Sequence, residues 1–153
     1  MSAKHVLIMA GGTGGHIFPG LALANELRER GHRVSWLGTQ AGMEAEIVPK
    51  ANIAIHYIPV KGIRGKNIAT LFMAPWNILS SIKAAMSVIK KLQPNVVVGL
   101  GGFVAGPGGV AAKLKGLPLV IHEQNAVAGT TNRMLARIAT KVLSAFPCKL
   151  QNW

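Results

Sequence analysis

A short apolar run that ends abruptly on glycine constrains this chain more than any other feature. Lys4 to Ala10 (KHVLIMA) is followed by Gly11, Gly12, Thr13, Gly14, Gly15 and His16. The run has the length and aliphatic content of a strand buried on both faces. From Ile17 the apolar residues Ile17, Leu21, Ala24 and Leu27 recur at helical steps, with Pro19 in the first turn and Gly31 as the stop. The segment therefore reads strand, glycine loop, helix. Such a junction aims unpaired backbone N–H groups and the positive end of a helix dipole at whatever lies above the strand, and glycine admits a phosphate close to the backbone. A diphosphate or sugar-phosphate site is one reading. A tight turn that binds nothing is the other.

The same grammar repeats. Arg33 to Gly38, Ala54 to Val60, Asn95 to Gly99, Pro118 to Glu123 and Lys141 to Ala145 read as further strands. Between them, Gly42 to Lys50, Pro75 to about Leu92, a segment ending near Lys115, and Thr130 to Ile138 read as helices, with Pro75 in a first turn. Strictly alternating units predict an α/β fold, a Rossmann-like doubly wound parallel sheet of about six strands in the order 3-2-1-4-5-6. In that order strands 1 and 4 are neighbours. The glycine loop after strand 1 and a second one, Gly99 to Gly109 (GLGGFVAGPGG), then face one crevice at the switch point, where ligands bind in such sheets.

At 153 residues and 50% hydrophobic content the chain suffices for one domain with a real core. Residues 92–112 are uncharged but hold six glycines and two prolines, so a strand, loop and helix fit them better than a membrane span. A single cysteine, Cys148, and an N-terminus without a signal-peptide pattern lead to the expectation of a cytoplasmic protein. The formal charge is +12, and residues 47–153 carry thirteen basic residues against one acid, Glu123. That excess predicts an anionic partner: a phosphate-bearing ligand, a membrane surface or a nucleic acid. Nucleic acid is the weakest of these, because the cations are scattered and aromatics are only 5%, without closely spaced stacking pairs.

Several chemistries are excluded by particular residues. A dinucleotide fingerprint would need glycine where Ile17 stands and an acid after strand 2, where Gly38, Thr39 and Gln40 occur. No phosphate-loop lysine motif is present. The five histidines show no metal-ligand spacing and the chain has no aspartate, so no metal is expected. His5, His32 and His56 read as surface or strand-edge residues. His16 differs because it closes the first glycine loop, where an imidazole can take a proton from a hydroxyl held at a phosphate site; a local hydrogen bond is the alternative. Glu123, Gln124 and Asn125 leave strand 5 at the same sheet edge and suit sugar hydroxyls or amides, or else simply cap a loop.

Taken together, Ala10 to Gly20 (AGGTGGHIFPG), Trp36 to Thr39 with Met43 and Glu44, Gly62 to Lys66 (GIRGK), Gly99 to Gly109 and His122 to Ala126 (HEQNA) closely resemble the N-terminal half of the bacterial undecaprenyldiphospho-muramoylpentapeptide β-N-acetylglucosaminyltransferases. The resemblance runs in order from about Lys4 to Pro147. It implies one half of a GT-B glycosyltransferase of family 28, inverting, without metal or other cofactor, transferring N-acetylglucosamine from UDP-N-acetylglucosamine to lipid I to give lipid II. It further implies that Thr13, Gly14, Gly15 and Asn125 contact the donor and that His16 is the general base. Gly101, Gly102 and Gly106 would meet the acceptor diphosphate, and Gly11, Gly12, Glu123 and Gln124 are carried with them as acceptor contacts. Residues 1–153 would form a single N-terminal domain, inactive without a C-terminal donor-binding domain. A non-catalytic lipid-diphosphate-binding or membrane-anchoring module is the alternative.

An acceptor of this kind is embedded in lipid, which bears on the third helix-forming stretch, Pro75 to about Leu92. At helical spacing Ile78, Ile82, Ala85 and Ile89 form its core stripe, while Trp76 falls roughly 140° away, near Lys83 and Lys90. Phe72 and Leu79 extend an apolar patch beside them, and Lys66 adds charge. This patch is expected to rest on the anionic cytoplasmic face of the inner membrane, as a peripheral contact. Packing of Trp76 under the preceding loop is the alternative.

Overall fold

The computed structural model describes residues 2–60 and 68–148, and of residues 68–73 the backbone alone. Lys66, the basic loop around it and the side chain of Phe72 thus lie outside the described residues. The strands are β1 His5–Ala10, β2 Arg33–Gly38, β3 Ala54–Tyr57, β4 Val96–Gly101, β5 Leu119–Glu123 and β6 Lys141–Ser144. The helices are α1 Gly14–Glu29, α2 Glu44–Lys50, α3 Ile68–Leu92, α4 Ala105–Leu114 and α5 Thr130–Leu135. All pairings are parallel and the order is β3-β2-β1-β4-β5-β6, the doubly wound arrangement the alternation predicts.

β1 lies at the centre with all six residues buried, and its alternate side chains serve two cores. Val6, Ile8 and Ala10 join Ile17, Ala24, Trp36 and Val48 beneath α1 and α2. Leu7 and Met9 join Ala85, Ile89, Ala105, Ala111 and Leu135 beneath α3, α4 and α5. Gly20 lets α1 sit directly on the Trp36 ring, since a Cβ there would meet Cη2 at 2.5 Å. The Trp36 indole Nε1 donates to the Ala10 carbonyl at 2.8 Å, tying the end of β1 to β2 where the glycines begin.

Four expectations about the elements need correction. α1 begins at Gly14 rather than near Ile17, so Gly14, Gly15 and His16 form its first turn. α3 begins at Ile68, seven residues before Pro75, which lies on an exposed stretch where water can serve the carbonyl its missing N–H leaves. The core stripe of α3 is Ile82, Ala85 and Ile89, whereas Ile78 is 46% exposed. Packing of α3 starts one turn later, at buried Ser81, whose hydroxyl donates to the carbonyls of Pro59 and Asn77. His5 is not a surface residue but is buried at the foot of β1. Its Nε2 lies 2.7 Å from Ser35 Oγ and its Nδ1 lies 3.2 Å from the Leu92 carbonyl. Burial pushes its pKa down, the bond to Leu92 opposes this, and Arg33 adds to it.

Candidate active site at the switch point

The first junction is built on a carboxylate. Glu44 is fully buried under the loop, accepting from the N–H groups of Gly12 at 3.2 Å and Thr39 at 2.8 Å and from the Thr39 hydroxyl at 2.9 Å. The Gly12 N–H, expected to meet a phosphate, is therefore already engaged, and Gly11 is buried, so the pair shapes the cavity wall. What remains free is the helix end. Thr13 takes the N-cap position in extended conformation without spending its side chain on a cap. The first-turn N–H groups of Gly14 and Gly15 have no intrahelical acceptor. No acid stands in that turn to compete with an anion.

The second junction differs in kind. Register shifts between β1 and β4 after the Met9–Gly99 pair, so that Ala10 lies opposite Gly101 and Leu100 is the extra residue. This irregularity sits at the carboxyl edge of the sheet and re-aims the backbone there. Gly101 and Gly102 follow with φ of +115° and +88°, a region where side chains are strained. A Cβ on Gly102 would strike the Gly11 carbonyl oxygen, and one on Gly101 would lie 2.7 Å from His16 Cε1. The two junctions thus touch, and the imidazole rests in the space that Gly101 leaves. Of the remaining glycines of the expected loop, Gly99 lies within β4 and the others lie in α4, where Gly108 and Gly109 are buried against Met9 and Leu135 and Gly106 is half-buried near Thr131. Only a short connection separates β4 from α4.

The residues after β5 divide as well. Glu123 is fully buried, and its oxygens accept from Asn125 N and Nδ2, both at 2.9 Å, Gly129 N at 3.1 Å and Asn132 Nδ2 at 2.9 Å. Burial opposes its charge, but these donors prevail and hold its pKa below the ordinary glutamate value. A carboxylate so occupied organises the loop instead of meeting a sugar, contrary to expectation. Asn125 is exposed and Gln124 half-buried, with Gln124 Oε1 3.5 Å from His16 Nδ1.

Between these parts lies a cavity of about 620 Å³. Gly11–Thr13, His16 and Gly101–Phe103 form one wall, and residues 128–133 form the other. The second wall escaped sequence reasoning: nothing in AGTTNR distinguishes it from an ordinary helix start. Glu44 escaped too, because its surroundings come from Gly11, Gly38 and Gly42 on three different segments. Among the described residues no three His, Cys, Asp or Glu side chains gather as a metal site.

Comparison with known proteins decides the family. The sequence profile of the glycosyltransferase family 28 N-terminal domain matches residues 6–144. The chain belongs to glycosyltransferase family 28. It is 57% identical over 152 residues to the UDP-N-acetylglucosamine–N-acetylmuramyl-(pentapeptide) pyrophosphoryl-undecaprenol N-acetylglucosamine transferase of Cellvibrio japonicus, covering 99% of this chain and 42% of that protein. It is 59% identical over 143 residues to the enzyme of the same name from Pseudomonas aeruginosa, covering 94% of this chain and 40% of that protein. The crystal structure of Acinetobacter baumannii MurG superposes with a TM-score of 0.84 at 50% identity, over 94% of this chain and 42% of that one. The calicheamicin glycosyltransferase CalG4, at 21% identity and a TM-score of 0.61 over 85% of this chain and 34% of its own, shares the fold. The family 28 chain spans about two fifths of the length of the curated relatives it matches.

Outside the cavity, the proposed lipid patch is accessible in the family 28 domain. Trp76 is 68% exposed, Leu79 and Ile78 are exposed, and so are Lys83 and Lys90. In a parallel sheet the crossover helices run against the strands, so the N-terminal end of α3 stands at the edge that bears the cavity. No described helix is long and apolar enough to cross a membrane.

Proposed function

We propose that this family 28 domain is the acceptor-binding half of a peptidoglycan glycosyltransferase. Completed by a C-terminal donor-binding domain, it moves N-acetylglucosamine from UDP-N-acetylglucosamine to lipid I, forming lipid II. The observation that carries this is the convergence of His16, the free end of α1 and the Gly101–Gly102 turn on one cavity. In this reading the acceptor diphosphate lies beside Gly101 and Gly102. Thr13, Gly14, Gly15 and Asn125 reach the donor from the N-domain side. The acceptor hydroxyl gives its proton to His16 as its oxygen bonds to the sugar carbon; the bond from that carbon to the UDP oxygen breaks, and UDP departs with the electron pair. Attack opposite the leaving group inverts that carbon.

Two measurements test the reading. Transferase activity is expected when this chain is mixed with a separately made C-terminal domain of a relative, and not from either part alone; no activity in the mixture would favour a binding module without chemistry. In the completed enzyme, His16→Ala should lower turnover by about 10²–10⁴-fold with a much smaller effect on acceptor affinity. Unchanged turnover would remove His16 from the mechanism.

The same reading puts the domain on the cytoplasmic face of the bacterial inner membrane as a peripheral protein. The exposed Trp76, Ile78 and Leu79 beside Lys83 support it, since an indole suits the headgroup layer and each lysine near anionic lipid contributes on the order of 1 kcal/mol. Co-sedimentation with vesicles should strengthen with anionic lipid and weaken with salt. It should drop in Trp76→Ala and in Lys83→Glu combined with Lys90→Glu, and equal binding by all variants would defeat the proposal.

A further inference from the structure

Gln124 is held in a way that its place in a polar loop does not require. Its Nε2 donates to the His122 carbonyl at 3.1 Å and lies 3.3 Å from His122 Nδ1. With the nitrogen end of the amide facing two acceptors, the oxygen end is turned toward His16, 3.5 Å from Nδ1. An amide oxygen only accepts, so a hydrogen bond here requires the His16 nitrogen facing it to carry hydrogen. Such a bond selects the Nδ1–H form of the neutral ring, which leaves the lone pair on Nε2. Gly101 adds the second constraint, because the ring occupies the space its missing Cβ would fill.

We propose that Gln124 is a positioning residue for His16. It fixes the tautomer and orientation in which Nε2 can take a proton, and its carbonyl dipole supports the imidazolium that then forms. The inference deepens the reading of His16 as a base and rests on it for its use. An amide in this role supports the positive ring without placing a permanent negative charge beside a site built for diphosphates. At 3.5 Å the contact is long, and a positive charge on the ring would strengthen and shorten it. Among the described residues, the other ionisable groups around His16 are Arg133 on the facing wall of the cavity, His122 beside Gln124, and the buried carboxylates Glu44 and Glu123. Neither carboxylate is bonded to the ring: Glu44 is engaged by Gly12 and Thr39, and Glu123 by Asn125, Gly129 and Asn132.

The test needs neither substrate nor a second domain, so its outcome is separate from that of the transferase assay. Imidazole nitrogen resonances of the 153-residue chain, assigned to His16 by their loss in His16→Ala, report which nitrogen bears hydrogen. Wild type should show Nδ1–H. Gln124→Leu should release the ring to a population dominated by Nε2–H. Gln124→Glu should keep Nδ1–H and move the titration midpoint of the ring upward by about one pH unit or more, since an opposite charge then faces it. An Nε2–H ring in wild type, or a tautomer and midpoint that are the same in wild type and Gln124→Glu, would overturn the proposal. Those two arms retain an acceptor at this position and decide the matter even where Gln124→Leu fails to fold. In the completed enzyme Gln124→Leu should lower kcat with little change in acceptor KM, and Gln124→Glu should restore a large part of it, with a pH profile displaced in the same direction.

Discussion

The two glycine-rich junctions that meet at the switch point have nearly the same composition and do different work. After β1 the glycines continue into the first turn of α1, leaving peptide N–H groups open to a ligand while Glu44 holds the loop from below. After β4 only Gly101 and Gly102 belong to the turn, and they serve approach, one to the His16 ring and the other to the Gly11 backbone. Gly108 and Gly109 pack α4 onto Met9 and Leu135. One junction therefore exposes backbone, and the other brings parts of the molecule within contact. Substitutions should separate the two roles.

The largest effect is expected at the point where the junctions touch. Gly102→Val would place a branched side chain against a backbone oxygen at φ +88°, with no flexible neighbour to give way. A loss of more than about 3 kcal/mol is expected, with a fall of the melting temperature by roughly 8 °C or more. Gly14→Val meets only the Phe18 ring, at 3.0 Å, and that ring is 57% exposed and can swing away. It should cost under about 1 kcal/mol and yet weaken a diphosphate ligand, by screening the helix end. Thermal unfolding and phosphate-ligand titration of both variants check this. Equal destabilisation by the two would erase the distinction drawn between the junctions.

Next in size is the packing glycine. In Gly109→Ala the new methyl would lie 2.6 Å from Leu135 Cδ2, and a shift of α5 should cost about 1–3 kcal/mol. Ligand affinity of the protein that remains folded should change little, which chemical denaturation and a binding isotherm would establish.

The acid limb of stability sharpens the contrast between the site and the opposite end of the sheet. His5 at the foot of β1 and His56 on β3 titrate below the ordinary histidine value of 6.5, chiefly because burial disfavours their charged forms. Their unfolded forms bind protons first, so this contribution is complete above about pH 6.5 and is lost as pH falls through the folded values. Glu123 is held below its ordinary 4.5, so its contribution is complete above that pH and is lost as pH falls through its lower folded value. Amide exchange should therefore loosen first near Ser35 and Leu92 and only at lower pH around Gly129 and Asn132. Glu123→Gln should abolish the second step. Loss of both regions together in the wild-type protein would contradict the assignment.

How much of this was legible in advance follows from what each residue depends on. Strand order was legible because the apolar runs are short, regularly spaced and joined by helices, and parallel crossovers leave few arrangements. Placing His16 beside the second junction followed from that order. The division of glycines was not legible: glycine answers equally to positive φ, to a ligand and to a close neighbour, and only Met9, Leu135 and Gly11 tell which applies. Burial of Glu44 and Glu123 was illegible for a similar reason, since their partners are backbone N–H groups and an Asn contributed by loops that the chain brings together on folding. Ile78 continued the helical stripe in sequence, but α3 has outrun the sheet by that turn, and periodicity does not report where a neighbouring element stops.

The smallest predicted effect is also the most discriminating, because Gly106 was expected to face the acceptor and the structure gives it a different setting. It is the second residue of α4, half-buried, and a Cβ there would meet Thr131 Cγ2 at an ordinary 3.7 Å. An alanine at such a position fits the helix and narrows the unfolded ensemble, so Gly106→Ala should stabilise by about 0.4–1 kcal/mol, a rise in melting temperature of roughly 1–4 °C. Ligand binding should be unaffected if α4 only buttresses the cavity, whereas a residue that admits a phosphate to its backbone would lose affinity on gaining a methyl. Gain of stability with unchanged affinity would confine the ligand-facing part of the second junction to Gly101 and Gly102. Gain of stability with a tenfold loss of affinity would extend it into the first turn of α4 and bring the two junctions closer in kind than their packing suggests.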